Sequence, residues 1–209
     1  MIDKMSNYIL DNLLYRNEKI EGDQREVMLF GITRIIEDIP KYIIIFLTSY
    51  FLNILEYVGV ILAITLLYKG FVGGAHARTN LLCLISTLAY FIVPVYIAKY
   101  ITIDKNMIYI LSAIVFLVSL YIIIKIAPAD TEEIPILKKS RRNLLKICAF
   151  ISLCIILIFN LVVVSDIYIQ KIVLLTVFLI GILATKPIYK LFRCKYSFES
   201  DEFKEFYNK

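Results

Sequence analysis

The chain has 209 residues but only one histidine, seven glycines, five prolines and four cysteines. Cys83, Cys148, Cys154 and Cys194 are widely spaced and form no CxxC pair. That arrangement argues against a structural zinc site or a redox dithiol. No glycine-rich nucleotide-binding motif is present, which speaks against an ATP-driven pump within this chain. The first 40 residues are charged and lack a continuous apolar core, so no cleavable signal is expected and the N-terminus should be retained. A net charge of +5 is too small for a nucleic-acid binder once membrane-flanking cations are discounted. No cofactor is implied.

What the chain has in abundance is apolar side chain, 60% of its residues. A soluble domain of this length has no interior large enough to hide it. Several runs reach the roughly 20 residues needed to cross a bilayer. The fold class is therefore all-α, a polytopic helical protein of the cell membrane.

Residues 1–40 read as two amphipathic helices, either interfacial or packed on the bundle. Ile2, Met5, Ile9, Leu10, Leu13 and Leu14 share one face of the first. Asp23 and Glu26 resemble a capping box for the second, with Met28, Ile32, Ile35, Ile36 and Ile39 as its stripe. Five apolar stretches follow, at about 42–67, 82–100, 106–126, 146–164 and 169–186, and residues 187–209 form a tail. The whole is read as a single membrane domain.

The positive-inside bias places Lys138, Lys139, Arg141 and Arg142, and the tail with Lys186, Lys190, Arg193 and Lys195, in the cytosol. Counting back through the helices puts residues 76–83 there too. The charged N-terminus also belongs inside, so the first stretch must return to its own side. About 26 residues of helix reach only about 39 Å, too little for two crossings of a core of about 30 Å. The expectation is a re-entrant hairpin, broken near Asn53, with Glu56 facing a wet cavity; four transmembrane helices follow. Pro94 should kink the second long run.

The candidate chemistry lies between the first two stretches, in Gly73-Gly74-Ala75-His76-Ala77-Arg78-Thr79-Asn80-Leu81-Leu82-Cys83. Gly70, Gly73 and Gly74 permit a tight turn ahead of the histidine. On one continuous helix His76 and Cys83 would be about 10.5 Å apart along the axis, beyond hydrogen-bond reach. The histidine must therefore precede a helix capped by Thr79 or Asn80, with Cys83 in its first turn. There the helix dipole favours a thiolate, and His76 would be its base. Lys69 and Arg78 add positive charge, suited to an acidic substrate or to simple membrane flanking. Cys148 and Cys154 fall in an apolar helix and read as small hydrophobes.

These residues resemble the signature of the AgrB family, membrane endopeptidases that process precursors of cyclic quorum-sensing peptides. The family pattern is a basic residue, a Gly-x-His-Ala core and a cysteine seven residues after the histidine. Lys69, Gly74, His76, Ala77 and Cys83 fit those positions. Lys69 departs from the usual arginine and lacks its bidentate fork.

The resemblance implies that Cys83 attacks a peptide carbonyl near the C-terminus of an AgrD-type precursor while His76 manages the proton. An internal cysteine or serine of the peptide then closes a thiolactone or lactone. It also suggests a homodimer; apolarity implies contact with membrane lipid, and the helix count puts the active site on the cytosolic side. The acidic tail of such a precursor would meet Lys69, Gly74, Arg78, Lys138, Lys139, Arg141 and Arg142; for the four mid-chain cations, topology anchoring is an equal reading. Glu56, Asn80 and Ser86 are candidates to orient His76 or donate to an oxyanion, with Asp166 the weakest. The rivals are a small non-enzymatic transporter or channel subunit, and another membrane acyltransferase or protease with the same dyad.

Overall fold

A computed structural model describes residues 2–14, 23–75, 77, 79–131, 136 and 138–196; the side chains of residues 2, 3, 13, 14, 23, 24, 26, 27, 30, 34 and 80 are outside that description. Among the described residues there is no β-strand, only helices and two isolated bridges. The all-α expectation holds. The chain divides into two compact units, residues 1–53 and 54–209.

In the first unit, α1 (Ile2–Ile9) continues as a π turn (Leu10–Leu14) and lies antiparallel on α2 (Asp23–Phe51). Polar contacts fix the pairing: Thr33 and Ser6 hydroxyls meet at 2.9 Å, and Arg25 bonds Asp11 at 3.0 Å. The expected apolar stripe of α1 is only partly inward, since Leu10 is buried whereas Met5 is exposed. Along α2, Ile35 and Ile39 are exposed. The capping box of Asp23 and Glu26 lies outside the described side chains.

The break near Asn53 is present: residues 52–54 interrupt the helices, and Asn53 has φ 55°. Its flanking helices are longer than apolarity suggested. No boundary falls near residue 40, because α2 runs unbroken through Pro40. The next arm is α3 (Leu55–Ile64), a π turn (Thr65–Lys69) and the short α4 (Gly70–Val72). Together Leu55–Val72 make 18 residues, about 27 Å of helix and long enough to cross. Helix α2 is not among the helices apolar enough to span, so the two helices beside Asn53 do not make a pair of candidate crossings. Glu56 is exposed in the first turn of α3.

The rest of the second unit is α5 (Asn80–Tyr100), α6 (Lys105–Lys125), α7 (Lys139–Val162), α8 (Ile167–Leu183) and a short α9 (Lys186–Leu191). Four segments are long and apolar enough to span a membrane: Leu55–Val72, Leu81–Tyr100, Lys105–Lys125 and Lys139–Val162. The protein is a multi-pass membrane protein. Helix α7 starts earlier than expected, at Lys139, drawing the basic cluster into its first turn. Exposed Leu66, Leu117 and Ile158 line the outer faces, as lipid-facing helices require. Small residues serve the inner faces: a Cβ on Gly181 would come within 2.8 Å of Ile122 Cδ1, so α6 and α8 pack closely there.

Helix directions follow from contacts at the ends. Tyr57 and Tyr168 stack edge to face at 4.8 Å where α3 and α8 begin, and Ala75 N–H donates to Leu183 O at 2.9 Å where they finish. Those two helices run parallel. Tyr168 donates to Val95 O and Lys171 to Ile101 O, so α5 runs against them. Lys146 bonds Ile124 O at one end and Gln170 bonds Asn160 O at the other, setting α7 against α6 and α8. The unit thus has two distinct ends, which we call the Cys83 end and the Asp166 end.

Candidate functional site

The turn before the histidine is built from glycine because nothing else fits. Gly73 has φ 78°, and a Cβ there would collide with the carbonyl of Ala129. Gly74 follows at φ 149°. Their backbone pairs across the chain: Ala129 N–H donates to Val72 O at 2.8 Å, and Gly74 N–H donates to Ala129 O at 3.0 Å. With the Ala75–Leu183 bond, residues 72–75 are held between the 127–131 segment and the end of α8. Gly74 is buried with its N–H committed to Ala129, so its position serves the turn; as a substrate contact it has little surface to offer.

Helix α5 begins at Asn80 with Thr79 as its cap, the Thr79 hydroxyl accepting from Leu82 N–H at 3.3 Å. Cys83 therefore lies in the first turn, its N–H donating to Thr79 O at 2.9 Å. Both features match the sequence reading. Cys83 is half-buried and carries a free thiol, like the three other cysteines. Ser86 and Thr87 both donate to its carbonyl, at 3.0 and 2.7 Å, so the Ser86 proton is engaged on backbone. His76 and Arg78 lie outside the described residues, as does the Asn80 side chain.

The other candidates separate. Lys69 ends the π turn with Nζ 5.1 Å from the ring centre of Tyr90, a cation–π contact, and Tyr90 shares a 2.7 Å hydrogen bond with Thr65. Tyr90 is seven residues after Cys83 on α5 and so shares its helix face. Lys138, Lys139 and Arg141 are exposed at the start of α7. Arg142 parts from them. Its Nη1 meets Asp130 Oδ2 at 2.9 Å, and the two side chains are 16% and 4% exposed. Nη2 reaches Pro128 O at 3.3 Å, and Ile136 N–H also donates to Asp130 at 2.8 Å. Arg142 is thus tied into the fold, unlike a cation held open for a peptide tail.

Glu56 and Asp166 fall at the far end. Glu56 is separated from Gly73 by the whole of α3 to α4, about 25 Å of helical rise. Asp166 caps α8, its carboxylate accepting from Tyr168 N–H at 2.8 Å. Among the described residues no group of three or more His, Cys, Asp or Glu is placed to hold a metal.

Sequence reasoning missed the supports of the turn. Tyr189 on α9 is 2% exposed and donates to Ala129 O at 2.8 Å; Tyr196 stacks on it at 3.9 Å and donates to Ala184 O at 2.7 Å. Burial, then the neighbouring Tyr196 and Asp130, push the Tyr189 phenol above its usual range, so it stays protonated and donates. Asp130, the first of three acids just before the basic cluster, was the one available signal.

Comparison with known proteins agrees with this architecture. The family model Accessory gene regulator B (AgrB) matches residues 2–185. The chain belongs to the AgrB family. It is 31% identical to Accessory gene regulator protein B of Staphylococcus saprophyticus over 158 residues, 75% of this chain and 79% of that one. It is 27% identical to an AgrB-like protein of Clostridium acetobutylicum over 133 residues, 64% of this chain and 62% of that protein. An AgrB-like protein of Clostridium perfringens is 25% identical over 177 residues, 77% of this chain and 80% of that one. No solved structure matches the chain.

Proposed function

We propose that this AgrB-family protein is a membrane cysteine endopeptidase that processes an AgrD-type quorum-sensing peptide precursor. The reading is carried by one coincidence. In a chain of this family, the cysteine of the motif stands in a capped first turn, one short loop after a glycine turn anchored on both sides.

In the proposed reaction the Cys83 sulfur attacks the scissile carbonyl, and His76 accepts the thiol proton. The carbon–nitrogen bond breaks, His76 protonates the leaving amine, and a peptidyl thioester remains on Cys83. A thiol or hydroxyl of the peptide then attacks that thioester, closes the ring and returns the cysteine thiol. Water must be kept from the thioester during the second step. Exchanging an amide for a thioester is uphill, so turnover requires removal of a product.

Charge supports the assignment of sides. Among the described residues, Lys69, Lys125, Lys138, Lys139, Arg141, Lys146, Lys186, Lys190, Arg193 and Lys195 gather at the Cys83 end. Lys99, Lys105 and Lys171 stand at the other. The positive-inside bias assigns the Cys83 end to the cytosol. Exposed Lys138, Lys139 and Arg141 are then available to an acidic peptide tail.

The test is co-expression with an acid-tailed, cysteine-containing precursor. Cys83→Ala and His76→Ala should each abolish cleavage, and wild type should form a hydroxylamine-labile adduct on Cys83. Cleavage undiminished in Cys83→Ala removes the nucleophile assignment.

A further inference from the structure

The 127–131 segment does more than connect two helices. Ala129 makes three backbone bonds at once: its N–H donates to Val72 O, and its carbonyl accepts both Gly74 N–H and the Tyr189 hydroxyl. The residues on both sides of Ala129 are tied by one element, and Ala129 itself by another. Arg142 on α7 holds Pro128 O and the Asp130 carboxylate. Tyr189 on α9 holds Ala129 itself, and Tyr196 bridges to Thr131 while stacking on Tyr189. The Gly73 turn sits on this platform so closely that no side chain fits between them.

We propose that Tyr189 and the Asp130–Arg142 pair are positioning residues: acting through the backbone of Ala129, they fix the Gly73–Ala75 turn that leads into His76. The proposal rests on the assignment of His76 and Cys83 as the catalytic pair. Neither Tyr189 nor Asp130 touches the reacting atoms. Each sets where the chain enters the site, and a displacement of about 1 Å in a catalytic group is enough to cost about a hundredfold in rate. Tyr189 and Tyr196 lie beyond residue 185, where the family match ends, so this support comes from a part of the chain outside the matched region.

The phenol bond can be removed without disturbing the stack, by Tyr189→Phe. Asp130→Asn keeps an acceptor for Ile136 N–H and Arg142 while removing the charge. Tyr168→Phe is the control: it deletes an equivalent tyrosine-to-carbonyl bond, to Val95 O at 2.8 Å, at the far end of the same unit. Full-length protein in vesicles is given the acid-tailed precursor, and kcat and KM are measured beside amide hydrogen exchange at Gly74 and Ala75.

Tyr189→Phe and Asp130→Asn should each lower kcat about tenfold with KM changed less than about twofold. Exchange at Gly74 and Ala75 should quicken, and the double variant should be little worse than either single one, because both act through Ala129. Tyr168→Phe should leave kcat and both amides as in wild type. Faster exchange with unchanged kcat overturns the proposal, as does a kcat loss matched by Tyr168→Phe, which would mark general loosening. A rise in KM alone overturns it too, in favour of substrate contact. If Cys83→Ala still cleaves, the catalytic reading has failed; unchanged exchange in the two variants then separately rejects the platform.

Discussion

At the Asp166 end, short connections over residues 101–104 and 163–166 join consecutive helices. They are closed by nearby chemistry: the Asp166 cap, the Gln170–Asn160 bond, and Lys171 on the last carbonyl of its neighbour. At the Cys83 end, residues 72–75, 127–131 and 183–196 come from three remote parts of the chain and exchange backbone bonds. The far end is joined by side chains reaching neighbouring helices, whereas the near end needs the backbones of three segments in register. Irregular backbone of this kind survives at a membrane border only when its polar groups are satisfied internally. That is the setting in which the glycine turn and Cys83 occur.

Substitutions can break this contrast. The largest effect should follow Asp130→Ala, which strands Arg142 in a half-buried site. Removing one partner of such a pair costs about 3–5 kcal/mol, read as thermal unfolding in detergent. Arg141→Ala, one residue away but exposed, should stay within about 0.5 kcal/mol. Equal effects would erase the distinction drawn between neighbouring cations.

Gly73→Ala comes next. A positive φ alone costs about 1–3 kcal/mol for a residue with a Cβ, and the collision with Ala129 adds to it. Gly59→Ala on α3, where a Cβ meets nothing within 4 Å, should be neutral or slightly stabilising. A Gly73→Ala protein as stable and active as wild type would mean that the turn is not built on Ala129.

The Asp166 end should yield smaller changes. Asp166→Ala removes one helix cap, worth about 1 kcal/mol, and should leave precursor cleavage intact. Loss of cleavage there would couple the two ends and defeat the comparison.

The smallest effect concerns pH. Tyr189 is held above the ordinary tyrosine value in the fold, so its contribution is whole below about pH 10 and declines as pH rises toward the folded value. Through the ordinary tyrosine range of an alkaline ramp, wild type and Tyr189→Phe should develop the same phenolate absorbance, and wild type should gain one further phenolate only at higher pH. An extra phenolate in wild type near pH 10 would mean that this phenol is not protected.

The residues themselves determined the fold class, the approximate helices α5 to α8, the break at Asn53 and the Thr79 cap with Cys83 in the first turn. Each depends on local features: an apolar run, a residue that tolerates positive φ, a hydroxyl before a helix. Helix boundaries were less legible, because apolarity marks where lipid begins, not where backbone hydrogen bonding stops. Thus α2 passes through Pro40, and α7 starts at Lys139 among cations.

Only the tertiary structure decided which cations are open and which are structural. Arg141 and Arg142 are adjacent in sequence, yet one is exposed and the other faces Asp130, because helical geometry turns neighbours about 100° apart. It alone placed Glu56 far from the glycine turn, and Tyr189 beneath Ala129. Such partners are joined by backbone carbonyls, which every residue carries, so no pattern of side chains announces them.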